Sequence, residues 1–149
     1  MIRILLSCVV SLISVSGAFA EAAEGYYRFP SIHNDTVVFA AEGDLWIVST
    51  AGGVARRLTT HPGEESHPTI SPNGQTLAFT ARYEGPAELY TMPLVGGLPT
   101  RLTYEAESSL ATTWTPGGEL VYTTSHFRPF PTTSWSRSIS RTAHEPASL

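Results

Sequence analysis

The chain has 149 residues, 42% of them apolar and 15% charged, with a formal net charge of −4. This length is a prior for one domain at most, and the chain is too apolar to be a disordered protein. All nine basic residues are Arg and none is Lys; no segment gathers them into a stripe, so the charge pattern speaks against a nucleic-acid or membrane-surface partner.

At the N-terminus, Met1-Ile2-Arg3 supplies one positive charge. Ile4 to Val15 is an apolar run broken only by Ser7, Cys8, Ser11 and Ser14, and Ala18-Phe19-Ala20 ends it. Small residues three and one positions before a cut complete the layout of a secretory signal peptide, so residues 1–20 are expected to be removed after Ala20. A membrane anchor needs about 20 mostly apolar residues, and this run is shorter and Ser-interrupted. A lipoprotein reading of Leu5-Leu6-Ser7-Cys8 fails because almost no hydrophobic segment precedes the cysteine. The expected product is exported, periplasmic or secreted, with no membrane segment in the mature chain. Cleavage removes Cys8, the single cysteine, and with it any disulfide or thiol chemistry.

From there the chain repeats itself. Val37-Val38-Phe39-Ala40 answers Leu77-Ala78-Phe79-Thr80 at an offset of 40, and Leu45-Trp46 answers Leu89-Tyr90 at 44, the second copy holding four more residues around Tyr83-Glu84-Gly85-Pro86. The offset of 44 persists through Gly52-Gly53 and Gly96-Gly97, then Arg57-Leu58-Thr59 and Arg101-Leu102-Thr103. A third copy opens with Trp114-Thr115-Pro116-Gly117-Gly118 against Ile70-Ser71-Pro72-Asn73-Gly74, and Leu120 to Thr123 follows one residue closer. A period of about 40–45 residues is that of a propeller or similar array.

Each piece has a physical reading. Pro72 sets the early corner of a tight turn and Gly74 accepts the positive φ at its end. Thr76 to Thr80 is β-branched and aromatic, the pattern of a buried strand. Leu45 to Val48 and Glu88 to Met92 form the next strand, with Ala55 to Thr59 as its partner across a Gly-Gly turn. No window of the mature chain has helical periodicity. The expected fold is all-β, an incomplete β-propeller of two blades plus the start of a third, spanning residues 25–127 with repeats at about 29–66, 67–110 and 111–127. A plain sandwich does not explain identity at a fixed period.

The repeats resemble the WD40-like units of TolB and of the propellers of several exported peptidases. Tyr27 to His33, Thr36 to Phe39, Gly43 to Val48, Gly53 to Gly63, Pro68, Ser71 to Gly74 and Tyr83 to Gly85 resemble the first blade and its continuation in tricorn-type proteases. That resemblance implies a multidomain serine peptidase whose N-terminal propellers gate or guide peptides, with PDZ-like and catalytic parts farther along. The partners it implies are peptides or proteins. A non-enzymatic TolB-like binding propeller is the alternative, and a propeller of a prolyl-oligopeptidase-type hydrolase is a third.

No position inherits a catalytic role. There is no Gly-x-Ser-x-Gly elbow, no His-Glu-x-x-His, no P-loop and no dinucleotide fingerprint, so no catalytic, cofactor-binding or metal residue and no cofactor is expected. His61-Pro62-Gly63-Glu64-Glu65-Ser66-His67 is the densest polar cluster. Its spacing matches no common metal motif, and it reads as a solvated inter-strand loop. His33 and His126 are read as surface residues near strand ends. Trp46, Tyr90 and Trp114 are read as packing between blades rather than as a stacking platform.

After Phe127 the repeat stops, and residues 128–149 are rich in Ser, Thr, Arg and Pro. They are expected to be a disordered or out-of-frame tail. Two and a half blades leave open sheet edges, so the chain is expected to fold poorly alone or to need a partner.

Overall fold

The computed structural model describes residues 26–104 and 108–124. Residues 1–20, where a signal peptide is expected, His126 and residues 128–149 lie outside the described residues. Within them there are ten strands and no helix. The first blade consists of β1 (Arg28–His33), β2 (Thr36–Ala41), β3 (Asp44–Ser49) and β4 (Arg56–Arg57), hydrogen-bonded in that order. The second repeats it with β5 (Glu65–Ile70), β6 (Thr76–Ala81), β7 (Glu88–Pro93) and β8 (Thr100–Arg101). The third begins with β9 (Ser109–Trp114) and β10 (Leu120–Thr124). All pairings are antiparallel, and the architecture is an incomplete β-propeller.

Equivalent residues keep equivalent partners. Phe39 faces Trp46 in the first blade and Phe79 faces Tyr90 in the second. The Ser-Pro-Asn-Gly turn closes with Gly74 N–H donating to Ser71 O at 2.9 Å, and Gly118 N–H donates to Thr115 O at 3.0 Å in the next copy. Gly74 has φ +71, and a Cβ there would lie 2.8 Å from the His33 ring. A side chain at this turn would be strained by the backbone conformation and would have to displace the His33 ring of the neighbouring blade.

The fourth strands are shorter than the sequence pattern suggests, two residues each. After Arg57 the backbone leaves the ladder, and the Thr59 side chain takes the N–H of Leu45 that a longer strand would have taken. The opening strands β1 and β5 carry bulges, with Phe29 and His67 at φ 53 and 50. Bulging re-aims the two side chains, and their rings stack at 3.9 Å across the junction of the blades.

The core lies between sheets rather than within one. Val38, Ala40 and Leu45 of the first blade meet Ile70, Leu77, Phe79, Tyr90 and Met92 of the second. Ala78 and Leu89, on the opposite face of the second blade, meet Ala111, Leu120 and Tyr122 of the third. Each large side chain so buried contributes about 1.5–3 kcal/mol, so the middle blade, covered on both faces, is the best supported. Of the three aromatics read as inter-blade packing, Tyr90 is in the first cluster, and Trp114 packs against the second while its Nε1–H donates to Thr69 O at 3.0 Å. Trp46 differs: its Nε1–H donates to Ala41 O of its own blade at 3.1 Å. Trp46 and Tyr90 occupy the same register position, whereas Trp114 takes that of Ile70.

Candidate functional site

The repeated Arg-Leu-Thr is the device that ties each blade together. Thr59 Oγ1 accepts the N–H of Leu45 at 2.9 Å, and Thr103 Oγ1 accepts that of Leu89 at 3.0 Å. Each hydroxyl then has its own proton to give, and each gives it to a carboxylate: Thr59 to Glu65 and Thr103 to Glu88. The arginine two residues earlier pairs with the acid that opens the third strand, Arg57 with Asp44 and Arg101 with Glu88. Arg101 also reaches Glu84 at 2.9 Å.

The two junctions solve one problem differently. Glu88 is long enough to take both the arginine and the threonine of its blade. Asp44, one methylene shorter at the same position, takes the arginine, and its Oδ1 is buried without a partner among the described residues. Thr59 turns instead to Glu65 on the opening strand of the next blade. Where Glu65 stands in that blade, Ser109 stands in the third, at the same offset of 44. Each junction thus carries one carboxylate that reaches the threonine.

Glu65 is only 1% exposed. It also accepts the Tyr83 hydroxyl proton. Burial pushes its carboxyl above the ordinary range, against the lowering effect of the two hydroxyls. Burial, and then Glu65 itself, likewise holds the Tyr83 phenol above its usual value. Above them opens a cleft of about 470 Å³ at the seam of the first two blades, lined among others by Leu58, Pro62, Leu98 and Pro99. His61 lies on Tyr83 with ring centroids 3.8 Å apart, and Tyr83 lies on Tyr90 at 4.5 Å, making one continuous aromatic wall. The Thr59 and Tyr83 hydroxyls are both committed to Glu65, so neither is set up as an activated nucleophile. A smaller hollow of about 190 Å³ lies by the opening strands, lined by Arg28, Glu64, His67 and Arg82 among others. There burial, and secondarily Arg28, keeps His67 below its ordinary pKa.

The polar cluster at 61–67 is therefore not one solvated loop. His61 and Glu64 are exposed, but Glu65 to His67 belong to β5, and Glu65 is buried at the seam. No group of three or more His, Cys, Asp or Glu among the described residues is placed to hold a metal ion. His33, read as a surface residue, is half-buried against the Gly74 turn of the second blade. The role of Thr59 and Thr103 was not anticipated; its signal was Arg-x-Thr recurring at an offset of 44 with an acid 13 residues before each Arg.

Residues 24–149 match the family described as the tricorn protease N-terminal beta propeller domain. Tricorn protease homolog 1 of Streptomyces coelicolor is 32% identical over 124 residues, which are 83% of this chain and 12% of that protein. The chain therefore spans about an eighth of the length of that relative. Among solved structures, the tricorn protease superposes with a TM-score of 0.60 at 23% identity, covering 66% of this chain and 11% of its own. A protein described as a TolB of Agrobacterium tumefaciens gives a TM-score of 0.60 at 25% identity, covering 66% and 38%. With its repeated blades, their threonine latches and a family match across most of its length, the chain belongs to the tricorn protease N-terminal β-propeller family.

Proposed function

We propose that this chain is the N-terminal propeller segment of an exported tricorn-like serine peptidase, and that it holds and guides peptides for a catalytic core outside these blades. The seam cleft carries the reading. It has room for a few side chains, an aromatic wall of His61, Tyr83 and Tyr90, and proline edges at Pro62 and Pro99, while the Thr59 and Tyr83 hydroxyls are spent on the Glu65 carboxylate. Such a surface suits binding an extended chain rather than cutting it. Export rests on the residue 1–20 pattern.

Fluorescence anisotropy with labelled unstructured peptides tests the first part. Saturable binding that weakens at least tenfold in His61→Ala supports it, and equal binding by wild type and variant refutes the cleft. A fusion of residues 1–25 to a reporter active only outside the cytoplasm tests export; an inactive reporter refutes it. The likeness to a TolB structure favours one second reading, a non-enzymatic propeller that binds a folded envelope protein. Capture of a folded partner with no peptide binding would select it.

A further inference from the structure

Every residue lining the seam cleft belongs to the first two blades or the link between them, and each of those blades has its four strands. The cleft thus lies inside the array and not on an end face. Nor is it a sheet edge: among its lining residues only Glu65 and Tyr90 lie in strands. Tyr90 is in β7, which has β6 on one side and β8 on the other, and the Glu65 N–H is given to Gly43 O at 2.8 Å. A peptide cannot be held there by adding a strand, so side chains must hold it.

Those side chains supply ring faces and hydrogen-bond donors. The faces are those of His61, Tyr83 and Tyr90, each in contact with the next, with Pro62 and Pro99 at the edges. His61 Nδ1 accepts the Gly63 N–H at 2.9 Å, which puts the proton of the neutral ring on Nε2 as a donor. The hydroxyls of Thr60 and Tyr90 make no hydrogen bond among the described residues, and neither is sealed from solvent.

Charge narrows the occupant further. No arginine lines the cleft, the chain has no lysine, and the one lining carboxylate, Glu65, already takes the Thr59 and Tyr83 protons. An acidic side chain would meet no counter-charge there and would face Glu65. Ring faces carry the negative part of the aromatic quadrupole and complement the electron-poor C–H groups beside a proline nitrogen. That nitrogen bears no hydrogen, so a run of prolines brings carbonyls to the three donors and few amide hydrogens to be buried without an acceptor. Its polyproline II form has no internal hydrogen bonds and is set before binding, which lowers the cost of ordering.

Taking the cleft as the peptide-binding site put forward above, we propose that it selects proline-rich segments in the polyproline II form. Their rings lie against His61, Tyr83 and Tyr90, and their carbonyls accept from Thr60, His61 and Tyr90.

Fluorescence anisotropy of the full chain with four labelled peptides of equal length tests this: alternating Ser and Pro, Ser and Ala, Glu and Pro, and Arg and Ala. The Ser–Pro peptide is expected to bind about tenfold tighter than Ser–Ala and about tenfold tighter than Glu–Pro. Tyr90→Phe keeps the ring and removes a donor, and is expected to weaken Ser–Pro binding about threefold or more. Thr60→Val, at an exposed position, gives a second reading should circular dichroism show that Tyr90→Phe loses its sheet content. Equal binding of Ser–Pro and Ser–Ala overturns the proline assignment and leaves the peptide-binding reading standing. Tighter binding of Arg–Ala than of Ser–Pro also overturns it, since the ring faces would then be taking a cation, as does Ser–Pro binding that no folded variant weakens. Binding of none of the four peptides overturns both readings together.

Discussion

The two junctions differ in which residue brings the carboxylate to the threonine, and that difference can be exchanged. Asp44→Glu gives the first blade the long acid of the second, and Glu65→Ser gives the opening strand of the second blade the residue of the third. Glu65→Ser alone strips two donors, the buried Thr59 hydroxyl and the partly buried Tyr83 hydroxyl, of their acceptor. At about 1–3 kcal/mol for each group left unsatisfied, a loss of about 3 kcal/mol is expected. Asp44→Glu alone crowds a second long carboxylate onto a hydroxyl already bonded to Glu65 and is expected to cost about 1 kcal/mol. Together they rebuild the Thr103–Glu88 arrangement around Thr59, leaving Tyr83 as the main unpaired group. The double variant is expected to lose about 2 kcal/mol, a coupling of about 2 kcal/mol in its favour. Urea unfolding of wild type, both single variants and the double variant, with m-values compared, measures it directly. Losses that add to within about 0.5 kcal/mol would show that the two carboxylates are not alternatives, and the latch account would be wrong.

Gly63→Ala is expected to destabilise by about 1–3 kcal/mol, because its Cβ would stand 2.3 Å from Arg82 O, a backbone atom that cannot swing aside. Gly117→Ala, whose nearest neighbour is Thr115 Oγ1 at 3.7 Å, serves as the control and should change stability by less than about 0.5 kcal/mol; equal effects would contradict the packing. Glu65 binds its proton more readily folded than unfolded, so its contribution is fully present below the ordinary value of 4.5 and is lost as pH rises through the raised one. Thermal melts from pH 4 upward should show that decline in wild type and a flatter profile in Glu65→Gln; parallel profiles would refute it. Trp114→Phe removes the donor to Thr69 O and should cost about 1–2 kcal/mol, read as a shift in urea midpoint.

What was visible in the linear chain depended on how far along it each interaction reaches. Turns such as Ser71 to Gly74 and the hairpin strands on either side are local, and identity at a fixed offset disclosed that three copies stack. The seam was harder to see, because Thr59, Glu65 and Tyr83 come from a blade's end, the next blade's opening strand and a hairpin loop. Glu65 in particular follows Pro62-Gly63 and another acid, the composition of a solvated loop, and only the closing of one blade on the next buries it. Trp114 was taken as the repeat of Trp46 and Tyr90, whereas its register position is that of Ile70. Trp46 shares the position at which Tyr90 packs between blades, and among the described residues no blade precedes the first.

The hairpin between β6 and β7 has a consequence for how such a seam can change. In the first blade, Ala41 and Asp44 are joined by two residues; in the second, the equivalent Ala81 and Glu88 are joined by six, and the ladder is otherwise in the same register. Lengthening the connection from two residues to six adds only about 1 kcal/mol of closure entropy. Those extra residues deliver Tyr83 onto Glu65 and Glu84 to Arg101. Hairpin length is thus a dial that can be turned blade by blade, refitting the walls of a binding cleft while leaving the scaffold beneath it unaltered.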